Sequence, residues 1–301
     1  MASLVAMLYA IALLWLIRRK RRGARLRHNY IKTISGQLSS PDFRLPIVAR
    51  TNTERRALAE AIYSVRGHCY GTGRDTLQQI VQTNHLKEFI VNRLQKASHA
   101  KTAELLLLLG AVSYDHKDQT LLARYLQSKE RITELCAMLA LLNIAPKAFI
   151  SHLCNTTTEL HPFSRACIIT QLRRGAMPIA FEPLLESKHR NLKLLGLAIV
   201  RSFELDIAAK HITRLIAQDE EIDTLHEALY TLAALKRPLN SNTIRQRLVQ
   251  MSASQRKSFC RHLSIEGYSL QTIERLFPHK EACYAEQLIS TYKRELIKTN
   301  A

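Results

Sequence analysis

The stretch Leu135-Cys136-Ala137-Met138-Leu139-Ala140-Leu141-Leu142 contains eight apolar residues in succession. Leucine, alanine and methionine favour helix, and the stretch lacks the alternation of apolar and polar residues that is typical of a half-buried strand. A helix that is apolar nearly all round must be covered on several sides, as happens inside a stack of helices. The stretch therefore predicts a helix that is buried between neighbouring helices.

Similar Leu- and Ala-rich helices recur along the chain, and each is followed by a second helix with a narrower apolar stripe. In each second helix an apolar residue is followed three or four positions later by a leucine, and these leucines are 27 to 33 residues apart. Self-similarity at a fixed period of this length is typical of stacked helix pairs. The repeated leucines are Leu94, Leu126, Leu153, Leu184, Leu215, Leu248 and Leu276.

With this helix-pair period across residues 84–277, the chain resembles the HEAT/armadillo-like α-solenoid superfamily. The resemblance implies an all-α fold, in which residues 53–301 form a right-handed α-solenoid of HEAT-like helix pairs. Residues 280–298 predict a longer and more polar helix, as the exposed outer face of a terminal cap requires. The resemblance also implies a scaffold or adaptor that mediates protein–protein interaction through an extended surface.

Proline and small polar residues mark the starts of several predicted helices. Pro146 and Pro162 suit the first helical position, where the missing N–H of proline costs no hydrogen bond. Ser252 followed by Gln255 fits a capping box, and Asp206 is a predicted N-cap. These positions set the expected helix boundaries.

The N-terminus joins an uncharged apolar run to a dense basic cluster. Residues 1–17 contain no charged side chain, and seven lysines or arginines follow within residues 18–27. This order is the inverse of a cleaved signal peptide, so it predicts a transmembrane signal-anchor helix. The positive-inside rule then places the N-terminus outside and the C-terminal domain in the cytoplasm, as a single-pass membrane protein. The predicted anchor residues are Leu4, Leu8, Ile11, Leu14, Trp15 and Ile17.

Residues 18–52 are interpreted as a basic juxtamembrane segment and linker. Residues 1–96 carry a net charge of +12, against +7 for the rest of the chain. Each Lys or Arg near an anionic membrane contributes about 1 kcal/mol, so anionic lipid is an expected partner and nucleic acid is not. The juxtamembrane basic residues are Arg18, Arg19, Lys20, Arg21, Arg22, Arg25 and Arg27.

No arrangement of residues indicates catalysis. Gly71-Thr72-Gly73 lacks the preceding strand and the following Gly-Lys-Ser/Thr of a phosphate-binding loop, so it is interpreted as a turn between helices. The six cysteines form no CxxC pair and are expected to be reduced thiols that pack as small hydrophobes. We therefore expect no enzymatic activity, no metal and no cofactor.

Basic residues accompany the apolar positions of the second helices. Second helices usually line the concave face of an α-solenoid, so the resemblance implies a mildly positive surface there. Such a surface suits an acidic segment of a protein partner, which the predicted anchor would place at the membrane. The candidate partner-binding residues are Arg93, Arg124, Arg214, Arg245, Arg247 and Arg275.

Two alternatives stay open. One is a nucleic-acid-associated HEAT-like protein or enzyme, such as a DNA glycosylase, which a pI of about 10.0 favours. The tyrosines, however, do not alternate with lysine and arginine at a fixed repeat position, as a base-stacking platform requires. The other is a secreted or periplasmic repeat protein, which requires cleavage after the apolar run.

Overall fold

The computed structural model describes residues 2–39, 46–67, 69, 72–155, 160–175, 179–218, 221–277 and 279–299. The side chains of residues 2–16, 19, 72, 99, 279–280 and 292–299 are not among those described. In the described ranges the regular structure is helical throughout and includes no strand. The prediction of an all-α fold is therefore confirmed.

The chain divides into two compact units: Met1–Ser151 with Thr170–Met177, and His152–Ile169 with Pro178–Ala301. The helices that begin in residues 2–146 are α1 (Ala2–Ser39), α2 (Asn52–Arg66), α3 (Thr72–Thr83), α4 (Leu86–Gln95), α5 (His99–Val112), α6 (Ala123–Leu126), α7 (Arg131–Ile144) and α8 (Pro146–Asn155). Those that follow are α9 (Pro162–Arg174), α10 (Glu182–Leu185), α11 (Arg190–Ser202), α12 (Ala209–Gln218), α13 (Ile222–Ala234), α14 (Asn242–Gln250), α15 (Ala253–Ile265), α16 (Leu270–Leu276) and α17 (His279–Thr299).

The first unit is organised around α5 and α7. These two helices pack against each other, and α2 and α4 both pack against α5. The contact between α5 and α7 is close because Gly110 faces Ala140. A Cβ atom on Gly110 would lie 2.7 Å from the Ala140 Cα atom, which is nearer than side chains can approach. Small residues at this crossing therefore allow the two apolar helices to bury one another.

A half-buried arginine joins α2 to the C-terminal ends of α5 and α7. Arg66 Nη1 donates to the carbonyl oxygens of Gly110, Ala111 and Ser113 at 2.6, 2.6 and 2.9 Å, and Nη2 donates to that of Asn143 at 3.1 Å. The last carbonyls of a helix lack partners within the helix and carry the negative end of its dipole. Burial lowers the pKa of Arg66, yet a guanidinium remains charged at neutral pH. Arg66 therefore supplies charged donors to the ends of two helices.

The second unit repeats one packing pattern. Of its longer helices, α11 packs on α13, α13 on α15 and α15 on α17, while the shorter helices α10, α12 and α14 also pack in succession. Its core draws apolar side chains from both sets of helices, including Leu197, Leu229 and Phe259 from the longer set and Ile212 and Leu248 from the shorter set. Full burial of each such side chain contributes about 1.5–3 kcal/mol.

Several predicted helix boundaries match the structure. Pro146 and Pro162 are the first residues of α8 and α9. Ser252 and Gln255 form both hydrogen bonds of the capping box before α15. Asp206 is not the N-cap that the sequence predicted, because Leu205 occupies that position before a short 3-10 helix, Asp206–Ala208. The Asp206 carboxylate instead pairs with Arg237 at 3.0 Å. The expected terminal helix is present as α17.

The N-terminal helix differs from the prediction. α1 continues through the basic cluster as far as Ser39, so residues 18–39 of the proposed linker are helical. Its C-terminal part packs on α2, and Ile34 is fully buried there. Burial, together with the nearby charge of Glu54, raises the pKa of Tyr30 in the same part of the helix.

The predicted single-pass membrane placement, with the N-terminus outside and the C-terminal domain in the cytoplasm, is wrong. No helix in the part of the chain that the structure describes is both long enough and apolar enough to cross a membrane. The physical reason is length: the 16 residues 2–17 of the apolar run would form a helix of about 24 Å, against a hydrocarbon core of about 30 Å. Ile17 is 39% exposed. The other predicted anchor side chains lie outside the described residues: Leu4, Leu8, Ile11, Leu14 and Trp15.

Candidate partner-binding surface

Three helices of the second unit each present one exposed arginine. Arg214 lies on α12, Arg245 on α14 and Arg275 on α16, at intervals of 31 and 30 residues. We call these three residues the arginine face. Each of the three helices buries an apolar stripe in the core of the unit, so these polar positions are left at the surface.

Serine caps fix where two of these helices begin. The Ser241 hydroxyl accepts from the Ile244 N–H at 3.2 Å before α14, and the Ser269 hydroxyl accepts from the Thr272 N–H at 3.3 Å before α16. A capping serine has an extended backbone and typically contributes about 1 kcal/mol to helix stability. The caps therefore fix the starts of these two helices, and the burial of their apolar stripes leaves the arginine of each at the surface.

The arginine face has an excess of positive charge. Among the described residues, none of the three arginines makes a hydrogen bond or an ion pair. Lys210 on α12 is also exposed, whereas Glu274 is the exposed acidic residue among the described residues of α12, α14 and α16. Surface cations without partners keep their full charge available for an incoming anion. The surface therefore suits a negatively charged partner.

Arg247, a fourth predicted residue on these helices, is held within the unit. Its Nε and Nη2 atoms donate to the carbonyl oxygens of Ile216 and Ala217 at 3.1 and 2.9 Å, and Nη1 donates to Gln250 Oε1 at 3.1 Å. The two carbonyls lie in the last turn of α12. Arg247 therefore fastens α14 to the end of α12, and three of its five N–H groups are occupied within the unit.

The remaining two predicted arginines belong to the first unit. Arg93 is half-buried on α4, with its guanidinium 4.8 Å from the centroid of the Phe89 ring. Arg124 on α6 is exposed, lies 4.6 Å from the centroid of the Tyr125 ring and donates to the Tyr125 hydroxyl. Both guanidinium groups thus stack on aromatic neighbours in their own helices.

The basic cluster of α1 is exposed to solvent. Except for Arg19, whose side chain is outside the described residues, all of its predicted members are exposed. None of these makes an ion pair with a carboxylate in the described part of the chain. Like charges three and four residues apart on a helix repel each other by a few tenths of a kcal/mol per pair. The cluster is therefore a second positive surface. The exposed members are Arg18, Lys20, Arg21, Arg22, Arg25 and Arg27.

A polar and aromatic cluster that was not predicted connects α13 to α15. The rings of Tyr230 and His262 meet edge to face at 4.4 Å, and the Tyr230 hydroxyl lies 2.8 Å from Ser258 Oγ. His262 Nε2 donates to the Tyr230 carbonyl oxygen at 3.3 Å. Burial lowers the pKa of His226 and of His262 below the usual value for histidine. The sequence signal is the spacing of four residues in His226/Tyr230 and in Ser258/His262, which places each pair on one helix face.

We interpret this cluster as a packing contact between α13 and α15, and not as a set of ligands for a metal ion. In the ranges that the structure describes, no group of three or more His, Cys, Asp or Glu side chains is placed to hold a metal ion. The six cysteines are free, and Cys136 and Cys260 are buried among apolar side chains.

Comparison with known proteins assigns no family. No model of a known protein family matches the chain, and no curated protein sequence matches it. Among solved structures, the crystal structure of an engineered protein, a Northeast Structural Genomics Consortium target, is 15% identical. The match covers 87% of this chain and 97% of that chain, with a TM-score of 0.27. A TM-score of this size supports no conclusion about fold or function.

Proposed function

We propose that this protein is a non-enzymatic scaffold whose helix pairs form a HEAT-like α-solenoid, and that its arginine face binds a protein partner. The alternation of longer and shorter helices supports the solenoid, because in the second unit each shorter helix α10 and α12 packs on the longer helix that follows it, and helices of each set also pack in succession. The helix starts at the predicted prolines and capping box support the repeat boundaries.

The observation that carries the proposal is the arginine face itself. Its three arginines lie on successive short helices, and none is engaged by another described residue of this chain. Side chains that only solvate a surface need no regular spacing, whereas a partner that crosses several helices contacts one residue from each. Charge on such a surface guides association and selects partners more than it adds raw affinity. The expected partner surface is therefore acidic.

Charge reversal tests the proposal. The triple variant Arg214→Glu, Arg245→Glu and Arg275→Glu should lose partners that the wild-type chain captures by crosslinking in cells, as measured by quantitative mass spectrometry. The helicity should not change, because substitutions of exposed residues without partners usually alter stability by less than about 0.5 kcal/mol each.

A matched variant controls for net charge. Lys188, Lys257 and Arg261 are exposed in the same unit and lie outside the arginine face. Reversing these three charges to glutamate changes the net charge equally and should leave the captured partners unaltered. Equal losses in the two triple variants would contradict the proposal, because the capture would then depend on net charge alone.

A second candidate function rests on the exposed basic cluster of α1. A dense row of cations on one helix attracts the phosphates of nucleic acid, and release of counterions makes such binding steeply dependent on salt. Binding of a labelled DNA duplex to the full chain, measured by anisotropy against salt concentration, tests this candidate. A decrease in the salt dependence of the binding constant when Arg21, Arg22 and Arg25 are replaced by glutamine would support nucleic-acid binding. Absence of binding at physiological salt would exclude it. Sedimentation with anionic vesicles in parallel tests the expected lipid contact.

A further inference from the structure

Helix α1 carries eight positive side chains and no negative one. Its 38 residues include eight lysines and arginines, and neither aspartate nor glutamate occurs among them. The exposed cations of its basic cluster make no ion pair with another helix in the described ranges. The charge of the cluster therefore remains available to an anionic partner.

The contact with α2 determines which of these cations face outward. α1 packs on α2, and Ile34 marks the buried side of the helix. Successive residues of an α-helix are rotated by about 100°, so Arg25, nine residues before Ile34, lies on the opposite side. Four other exposed cations lie within about 60° of Arg25 around the helix axis, and together with Arg25 we call them the outward stripe: Arg18, Arg21, Arg22 and Lys32.

The outward stripe is suited to a flat anionic surface. From Arg18 to Lys32 it extends about 21 Å along the axis of α1, at about 1.5 Å per residue. Because α2 lies on the opposite side, a flat surface can contact the whole stripe without meeting α2. A bilayer surface is flat over this distance. The phosphates of a DNA duplex instead border grooves about 12 and 6 Å wide, so a straight row of this length contacts them only where it crosses a strand.

We propose that the outward stripe binds the anionic headgroups of a phospholipid membrane, with α1 lying along the surface and not across the bilayer. Each cation of the stripe adds attraction to an anionic leaflet, and this attraction falls off within a Debye length. The inference goes beyond the proposed function, since no residue of the arginine face takes part.

Two cations on the other side of α1 provide an internal control. Arg27 and Lys20 lie seven and fourteen residues before Ile34, so they share its side of the helix, yet both are exposed. A helix with its side chains is about 10–12 Å across, and the Debye length at physiological ionic strength is about 8 Å. When the outward stripe touches the headgroups, Arg27 and Lys20 are therefore more than one Debye length away and largely screened.

Binding of the full chain to vesicles tests the inference. The probe is sedimentation with vesicles of a two-to-one mixture of phosphatidylcholine and phosphatidylserine at physiological salt, beside vesicles of phosphatidylcholine alone. The outward variant, Arg21→Gln with Arg25→Gln, should bind the mixed vesicles at least about tenfold more weakly than the wild type. The control variant, Lys20→Gln with Arg27→Gln, should lose less than about threefold because its charges are screened. Both variants remove two charges, and glutamine favours helix, so helicity should be unchanged.

Other results contradict the inference in distinguishable ways. Equal losses in the two variants would show that the number of charges, and not the side of α1, determines binding. Equal binding of the wild type to the two kinds of vesicle, or absence of binding, would exclude anionic headgroups as the partner. Tighter binding to a DNA duplex than to mixed vesicles at equal phosphate concentration would overturn the inference in favour of nucleic acid. None of these results bears on the arginine face, whose test uses other residues and a protein partner.

Discussion

Replacing Arg66 by methionine should remove the strongest polar connection inside the first unit. Methionine preserves most of the apolar stem but cannot donate to the four carbonyl oxygens that the guanidinium reaches. A hydrogen bond contributes about 1 kcal/mol net, and more when one partner is charged. Nη1 has two hydrogens for its three acceptors, so with the Nη2 bond the guanidinium forms about three full hydrogen bonds, and the expected loss is about 3 kcal/mol. Arg66→Lys should lose about half of this, because one ammonium cannot span the same fork of acceptors.

Arg74 provides the matched control for this prediction. It lies over the same Tyr114 ring as Arg66, at 5.9 Å against 4.4 Å, but it is exposed and makes no hydrogen bond within the described residues. Arg74→Met should therefore cost less than about 1 kcal/mol. Hydrogen exchange of the α5 and α7 backbone measures the local unfolding free energy in each variant. Equal exchange in the Arg66 and Arg74 variants would refute the reasoning.

Three further changes test other parts of the structure. Burial lowers the pKa of His262 in the folded state, so the contribution of neutral His262 to the free energy of unfolding is fully present above about pH 6.5 and is lost as the pH falls through the pKa of the folded state. His262→Gln should therefore reduce the decline of Tm at acidic pH. Gly110→Ala should destabilise the first unit by about 1–3 kcal/mol through overpacking, whereas Gly36→Ala, with open space around it, should not. Burial raises the pKa of Cys260 to about 12, so iodoacetamide should modify it far more slowly than the half-buried Cys167 at pH 7.5.

Much of the helical organisation could be predicted because its signals are local. The apolar run at 135–142 lies within α7, and the repeated leucines at 94, 184, 215, 248 and 276 each lie in a shorter helix. Pro146 and the Ser252–Gln255 capping box mark helix starts through residues only a few positions apart. Periodicity and caps act within one or two turns, so they can be recognised in the sequence without knowledge of tertiary contacts.

The parts that could not be predicted depend on contacts between distant residues. Arg66 and Arg247 look like ordinary surface arginines in sequence, but both donate to backbone carbonyls 30 to 77 residues away. Any residue type can supply a carbonyl, so no sequence pattern identifies the acceptor. Only the folded structure therefore shows that Arg214 is exposed whereas Arg247 is hydrogen-bonded to α12.

Site-specific photocrosslinking tests the central claim most directly. A photoreactive phenylalanine analogue at Val249 would lie beside the arginine face, and the same analogue at Ile265, which is 59% exposed at the end of α15, serves as the control position. The account predicts that Val249 crosslinks in cells to a protein with an acidic segment, and that Ile265 does not crosslink to it. The Arg214, Arg245 and Arg275 reversals should abolish the product. Equal crosslinking from the two positions, or a Val249 product that survives the reversals, would contradict the account.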